Sequence, residues 1–380
     1  MPHQGELVEI LERSHVGAFQ SLRAEWDDLL NRSSGASVYQ TWEWNEAWWR
    51  VFGEGKRLRL LEVRDAGRLV GLAPLYVSAH LGTPFRRLAF VGTGPSDYLD
   101  VLADDACAPA VAEFVLRHVT CGRGDDLADL QQLAPSAALL AAARGAMDAP
   151  EPRRMLLVPQ EPCPYAALPG DWDAYASSLG KKMRGNLRYS ERLLERSFGA
   201  VEYRLSDASG LRADLDDLFA LHQSRWRARL LPGALAGARI RQFHRLVAER
   251  FAERGWLRLH SLHVDGRAVA SLYCFRFRER YAYYLGGFCP ELARFSLGTL
   301  LTGRAIRQAI EEGCSEFDFL RGDEPYKERW STGRRTNHRL LLSHPRSWRS
   351  SALLRLNHLE RHIERRAKAF AHERGRRRRP

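Results

Sequence analysis

Apolar positions in this chain switch between a helical period and a strand period, and the switch runs through the chain twice. Leu7 to Leu11 reads as a first strand. Ala18–Leu30 and Trp42–Trp49 then carry apolar residues at helical spacing, with Trp44 and Trp48 one turn apart on one face, which reads first as an aromatic core stripe and second as a stacking wall for a sugar-like ligand. Leu58–Arg64 and Arg68–Tyr76 flank Asp65-Ala66-Gly67 and read as a β-hairpin. Phe85–Val91 and Tyr98–Leu102 follow as strands. Between them Gly92 to Asp97 lacks the spacing of a phosphate cradle and is read as a turn. Helices are expected at Pro109–His118 and Pro135–Met147, and a strand at Arg154–Val158. Gln160 to Pro164 holds two prolines and reads as a linker.

The second half repeats this grammar. Helices are predicted at Trp172–Leu179, Lys181–Arg196, Asp207–Arg229 and Ala238–Arg254. A second hairpin, Leu257–Val264 and Arg267–Arg278, turns at Asp265-Gly266. The two hairpins superimpose without gaps, Leu58-Arg59-Leu60 on Leu257-Arg258-Leu259 and Gly67-Arg68 on Gly266-Arg267, which favours a duplicated unit. Beyond it come a strand at Tyr281–Gly287 and a loop at Phe288–Phe295. An amphipathic helix, Leu297–Glu312, ends at Gly313. A short strand, Phe317–Leu320, leads to a helix at Asp323–Trp330 with Asp323 as its N-cap, and Arg339–Ser343 is the last strand.

Charge changes this picture little. The net charge is +12, but the stretch from Arg346 to Pro380 holds twelve basic residues against three glutamates, so the body is nearly neutral and the tail is basic. A generally basic nucleic-acid-binding domain is therefore a poor fit. The six cysteines form no CxxC pair and read as free thiols. His260 and His263 fall on opposite sides of a strand, and His358 and His362 lie among Arg and Glu, so no metal site is expected. Met1 to Arg13 lacks an apolar signal region, and no window reaches the roughly 20 apolar residues of a membrane helix, so a cytoplasmic chain is expected.

Candidate chemistry gathers at two places. The helix entry Arg294-Phe295-Ser296-Leu297-Gly298-Thr299 offers a cap, a glycine for close approach, and the positive end of a helix, which suit a pyrophosphate. The stretch from Glu316 to Trp330 supplies Asp318, Arg321, Asp323, Tyr326 and Lys327. A strand-end carboxylate there can act as base or pair with Arg321, and a tyrosine can protonate a leaving thiolate or simply pack.

Asp318-Phe319, Arg321-Gly322, Tyr326-Lys327 and Trp330 resemble the D-F-x-x-G-x-x-x-Y-K-x-x-W signature of the CelD-type acetyltransferases of cellulose and exopolysaccharide biosynthesis, a GNAT-superfamily group. Lys182, Arg184, Asn186, Leu187 and Arg188 are similar to the basic segment that opens that domain. The likeness is strongest over Asp171–Ser343; the first half is compatible with the degenerate partner of tandem, Fem-like GNAT proteins. Ser296-Leu297-Gly298 departs from the family's frequent Ser-Pro-Gly, and Arg294 and Gly298 are four apart, unlike the Q/R-x-x-G-x-G/A spacing.

The resemblance implies an α/β fold of two tandem GNAT-like units with mixed sheets flanked by helices: residues 1–165, residues 166–345, and a basic helical or disordered tail at 346–380. A substrate cleft would lie between the units. Acetyl-CoA or another acyl-CoA would lie along Tyr284 and Gly287, with its pyrophosphate over Arg294, Ser296, Gly298 and Thr299. Asp318 would act as base and Tyr326 as acid, with Lys327 beside them. Trp44, Asp97, Tyr98, Lys182, Arg184, Arg188, Arg321 and Trp330 would face a saccharide or cell-envelope acceptor. The tail suits contact with an anionic membrane or a polysaccharide synthase at the inner face of the membrane. It also suits tRNA if the chain is a Fem-like aminoacyl transferase. A non-catalytic scaffold or binding module is the third reading.

Overall fold

The computed structural model describes residues 9–79, 83–120, 125–148, 154–228 and 233–343, with positions 231, 349 and 352. The expectations for the basic tail, for His358 and His362, for Cys121, and for the start of the first strand lie outside them.

The chain divides into two α/β units, neither continuous in sequence. The first contains residues 1–36, 55–159 and 338–380; the second contains residues 37–54 and 160–337. In the first, the strands Glu9–Arg13, Arg57–Asp65, Arg68–Ala79 and Arg86–Phe90 pair antiparallel in order, and Arg86–Phe90 then pairs parallel with Leu127–Leu133. Arg59 is fully buried there and bonded to Asp125 at 3.0 Å and to Glu12 at 3.0 Å. In the second unit, Val201–Leu205, Leu257–Val264, Arg267–Phe277 and Arg280–Phe288 pair antiparallel in order. Arg280–Phe288 pairs parallel with the short strand Glu316–Asp318. Both units are thus mixed sheets flanked by helices.

The two hairpins share more than sequence. Ala66 and Gly67 both take positive φ (45° and 81°), and so do Asp265 and Gly266 (49° and 78°). Two successive left-handed residues suit the right-handed twist of the flanking strands. The predicted hairpins, the basic helix (Lys181–Ser197) and the amphipathic helix (Leu297–Glu311) all form.

Four expectations change. The stretch 160–164 is not a loose linker but part of the strand Arg154–Ala167. Its prolines lack N–H groups, but their carbonyls accept from Gly322 and Phe319, so at these two positions the edge needs only acceptors. Tyr98 has φ 52°, and only Leu102–Ala103 is a strand there. The strand predicted to run to Leu320 ends at Asp318, because Leu320 (φ 56°) leaves the extended region. The helix after it spans only Pro325–Glu328, so Asp323 is not its cap.

Candidate active site

The strand Glu316–Asp318 is short because pairing along one of its two edges is lost. It pairs with Arg280–Phe288 only as far as Ala282 opposite Asp318, while that neighbour runs on for six more residues. Asp318 Oδ1 accepts from the Leu320 amide at 2.7 Å and turns the backbone away. Phe319 and Gly322 stay tied to the other side, donating to Pro164 O and Pro162 O. Backbone pairing between the two strands is therefore lost where Tyr283–Phe288 and the turn at 319–322 part.

A β-bulge sits at the same point. Tyr283 and Leu285, with Tyr284 between them, oppose the adjacent pair Cys274 and Tyr273. A bulge disrupts the ladder locally and re-aims backbone groups, here on the strand that runs on.

Tyr283, Phe317 and Phe319 project to one face of the sheet, and Tyr326 packs over them from the short helix, its ring 6.3 Å from that of Tyr283. The two phenols influence each other's titration. Burial pushes the Tyr283 phenol up to about 12 and raises Tyr326 further, while the Arg225 charge opposes both shifts. Arg225, at the end of the helix Leu211–Arg227, donates to Gly286 O at 3.3 Å and lies 4.9 Å over the Phe288 ring. Its Nε is buried without a hydrogen-bond partner. Beside it, His222 Nε2 accepts from the Trp226 indole at 2.9 Å, so a neutral imidazole carries its proton on Nδ1. Burial and then Arg225 push His222 down to about 4. A group so hard to protonate is a poor base at neutral pH.

The helix entry is built differently from expectation. Ser296 takes a left-handed conformation (φ 55°, ψ 39°) and makes no side-chain cap; its carbonyl instead accepts from Thr299 and Leu300. The amides of Leu297 and Gly298 stand at the helix start, where no intrahelical acceptor exists. A Cβ on Gly298 would meet only the Phe288 ring, at 3.5 Å. Gly298 and Thr299 are partly exposed, and Arg294 is exposed with its guanidinium over the Phe295 ring. Gly287 has another reason to be glycine: a Cβ there would stand 2.3 Å from the His222 amide nitrogen, so it admits the helix Leu211–Arg227 onto the strand.

Several expected site residues prove structural. Trp44 is fully buried, ringed by Tyr39, Phe243, Phe251, Phe275 and Tyr284, and offers no face for a ligand to stack on. Trp330 is likewise in the core, and its backbone carbonyl accepts from the Tyr175 hydroxyl. Lys327 is buried; Nζ donates to Arg321 O (2.7 Å) and Leu320 O (3.3 Å) and pairs with Glu324 (3.0 Å), so it pins the turn rather than holding an acceptor. Asp318 is buried and, by strand alternation, points to the face opposite Tyr326; the structure does not bring that acid and base together. Tyr284 packs against Trp44, His244 and Phe275. Asp97 and Tyr98 are buried in the first unit, and Arg321 is partly exposed at the turn. Lys182 and Arg188 are exposed on the basic helix, and Arg184 ties that helix to Ser177 O and Leu179 O. Sequence reading missed Tyr283, Arg225 and His222. The Tyr283-Tyr284 pair and the His222/Trp226 spacing at i, i+4 were the available signals.

Among the described residues no group of His, Cys, Asp and Glu is arranged to hold a metal, and no helix is long and apolar enough to cross a membrane.

Residues 181–328 match the family model of the acetyltransferase (GNAT) domain. No curated protein matches the chain by sequence. Among solved structures, FemX is similar at 10% identity over 87% of this chain and 96% of that one, with a TM-score of 0.62. A C-terminal domain assigned to lysylphosphatidylglycerol synthetase, from Agrobacterium fabrum, is similar at 14% identity over 88% and 96%, TM-score 0.56. A protein of unknown function from Bacteroides thetaiotaomicron is similar at 11% identity over 88% and 100%, TM-score 0.56. At these identities the likeness is one of fold. The parted strands, the bulge and the helix entry all lie within the stretch that matches a GNAT acetyltransferase domain.

Proposed function

We propose that the second unit transfers an acyl group from acyl-CoA to an amine or hydroxyl of a polysaccharide-related or cell-envelope acceptor. The observation that carries this is the loss of pairing between Tyr283–Phe288 and the 319–322 turn, with a bulge on one strand and two tyrosines packed beside it. An acyl-CoA would supply the activated thioester, and the extended chain of its pantetheine suits the strand backbone left unpaired there. The first turn of the helix at Gly298 would hold its pyrophosphate, with donors and the helix dipole but without a proline. Backbone amides at the bulge are suited to stabilise charge on a carbonyl oxygen. Tyr326, packed against Tyr283 and kept protonated by burial, is the group suited to give a proton to a departing thiolate. Arg225 holds the site positive.

Assaying thiol release from acetyl-CoA with glucosamine, glucose and lipid-linked sugar acceptors tests this reading. Acceptor-dependent release supports it, and no release with any acceptor counts against it. The CelD-like signature favours an exopolysaccharide or cellulose setting, at the inner face of the membrane if the basic tail engages anionic lipid. A second reading, an aminoacyl-tRNA-dependent transferase of the Fem type, is favoured by the fold likeness to FemX. Transfer from charged tRNA, with none from acyl-CoA, would select it. A binding module without catalysis would bind ligand and release no thiol.

A further inference from the structure

The helix Leu297–Glu311 turns a second face toward another cleft. Leu300, Gly303, Arg304 and Arg307 recur at i, i+3, i+4 and i+7, roughly half a turn around the helix from Gly298. Opposite them stands the helix Lys181–Ser197, with Arg184 and Arg188, and the space between has a volume of about 320 Å³. Trp172 and Tyr203 also line it.

Four arginines face this cleft against two acids, Asp173 and Glu191. Arg304 is already matched, bonded to Glu191 at 2.8 Å and lying 4.4 Å over the Tyr203 ring. Arg184 spends donors on two backbone carbonyls, which leaves its charge uncompensated. Arg307 lies 4.9 Å over the Trp172 ring. Among the described residues no carboxylate stands at ion-pair distance from Arg184, Arg188 or Arg307. Like charges gathered in a concave site repel one another, and an anion relieves that cost. Guanidinium groups match phosphate oxygens with paired hydrogen bonds.

We infer that this cleft is an anion site for a phosphate or pyrophosphate group, with Arg184, Arg188 and Arg307 supplying the charge and Trp172 a flat apolar wall. The phosphate can belong to a coenzyme A or to a phosphorylated acceptor. The site does not depend on acyl transfer, since its test reads binding and not turnover.

The experiment is calorimetric titration of the full chain with inorganic pyrophosphate at two salt concentrations. Wild type should bind, more weakly at higher salt. Arg188→Gln with Arg307→Gln should weaken binding by about tenfold or more, and the corresponding lysine pair by less. No binding to wild type, or equal affinity in the glutamine variant, overturns the inference. If the double variant does not fold, Arg188→Gln alone serves, because that side chain is exposed; unchanged affinity there also overturns it. Coenzyme A and S-acetylpantetheine, titrated in parallel, identify the source. Loss of both pyrophosphate and coenzyme A affinity, with S-acetylpantetheine unchanged, assigns the phosphate to the cofactor, and unchanged coenzyme A affinity beside lost pyrophosphate binding assigns it to another ligand; both outcomes support the site.

Discussion

The Tyr326 ring packs 6.3 Å from that of Tyr283 where the two strands part, and both phenols are pushed up by burial. An acid so placed stays protonated through the neutral range. Tyr326→Phe should lower kcat by roughly 10²–10⁴-fold while leaving the melting temperature nearly unchanged, since only one hydroxyl is lost. Tyr283→Phe removes the neighbouring hydroxyl and not the acid, so its effect should be smaller. Steady-state kinetics beside thermal melts check both, and unchanged turnover in Tyr326→Phe would remove the residue from the chemistry.

Two glycines on either side of the site should respond in opposite ways. A Cβ on Gly287 collides with the His222 backbone, which cannot move without displacing a helix. Gly287→Ala should therefore cost about 1–3 kcal/mol or more, as overpacking does. Gly298→Ala has room and removes a helix glycine, so it should fold as well as wild type or gain up to ~1 kcal/mol. Its effect should appear in the KM for acyl-CoA, because the methyl sits on the proposed pyrophosphate cradle. Denaturant melts and KM measurements separate the two.

The turn where the strands part rests on Lys327. Lys327→Met removes the donor from Leu320 O and Arg321 O and should cost about 1–3 kcal/mol, loosening the segment that carries Tyr326. Asp318→Asn keeps an oxygen for the Leu320 amide. It should cost less than Lys327→Met and lower kcat less than Tyr326→Phe. A kcat loss equal to that of Tyr326→Phe would return Asp318 to the mechanism.

Acid should destabilise the second unit through its histidines. Burial pushes His222 to about 4, His244 to about 3 and His260 to about 4. In the unfolded chain they return to about 6.5. Below that pH the unfolded chain binds more protons than the folded one. Stability is therefore unaffected above about pH 7 and falls as pH drops from 6.5 toward 4, by up to about 1.4 kcal/mol per pH unit for each histidine. Carboxylates held low by arginines, such as Glu312 and Glu25, lose their contribution only at more acidic pH. A melting temperature that stays flat between pH 7 and 5 contradicts this.

Helices were legible because each has one buried face and burial imposes a period, and the hairpin strands, buried on both faces, because apolar runs are bounded by turn residues. The left-handed pair at Asp265-Gly266 was readable for the same local reason, since few residues tolerate that backbone. The end of the strand at Asp318 was not readable, because it depends on a hydrogen bond to Leu320 and on carbonyls of residues far earlier in the chain. Nor does periodicity say which sheet a helix joins: Trp42–Phe52 packs with the helix Ala238–Glu253, nearly two hundred residues away. Polar residue types pointed to the stretch from Glu316 to Trp330, yet they did not separate Tyr326, packed against Tyr283, from Lys327, which pins the turn. Only the fold does that.

Binding of acetyl-CoA to the full chain, measured by calorimetry, tests the central claim most directly. The parted strands, the bulge and the open turn at Gly298 predict saturable binding with one site per chain, weakened in Gly298→Ala. No heat of binding at millimolar acetyl-CoA, with the protein shown to be folded, would contradict the account.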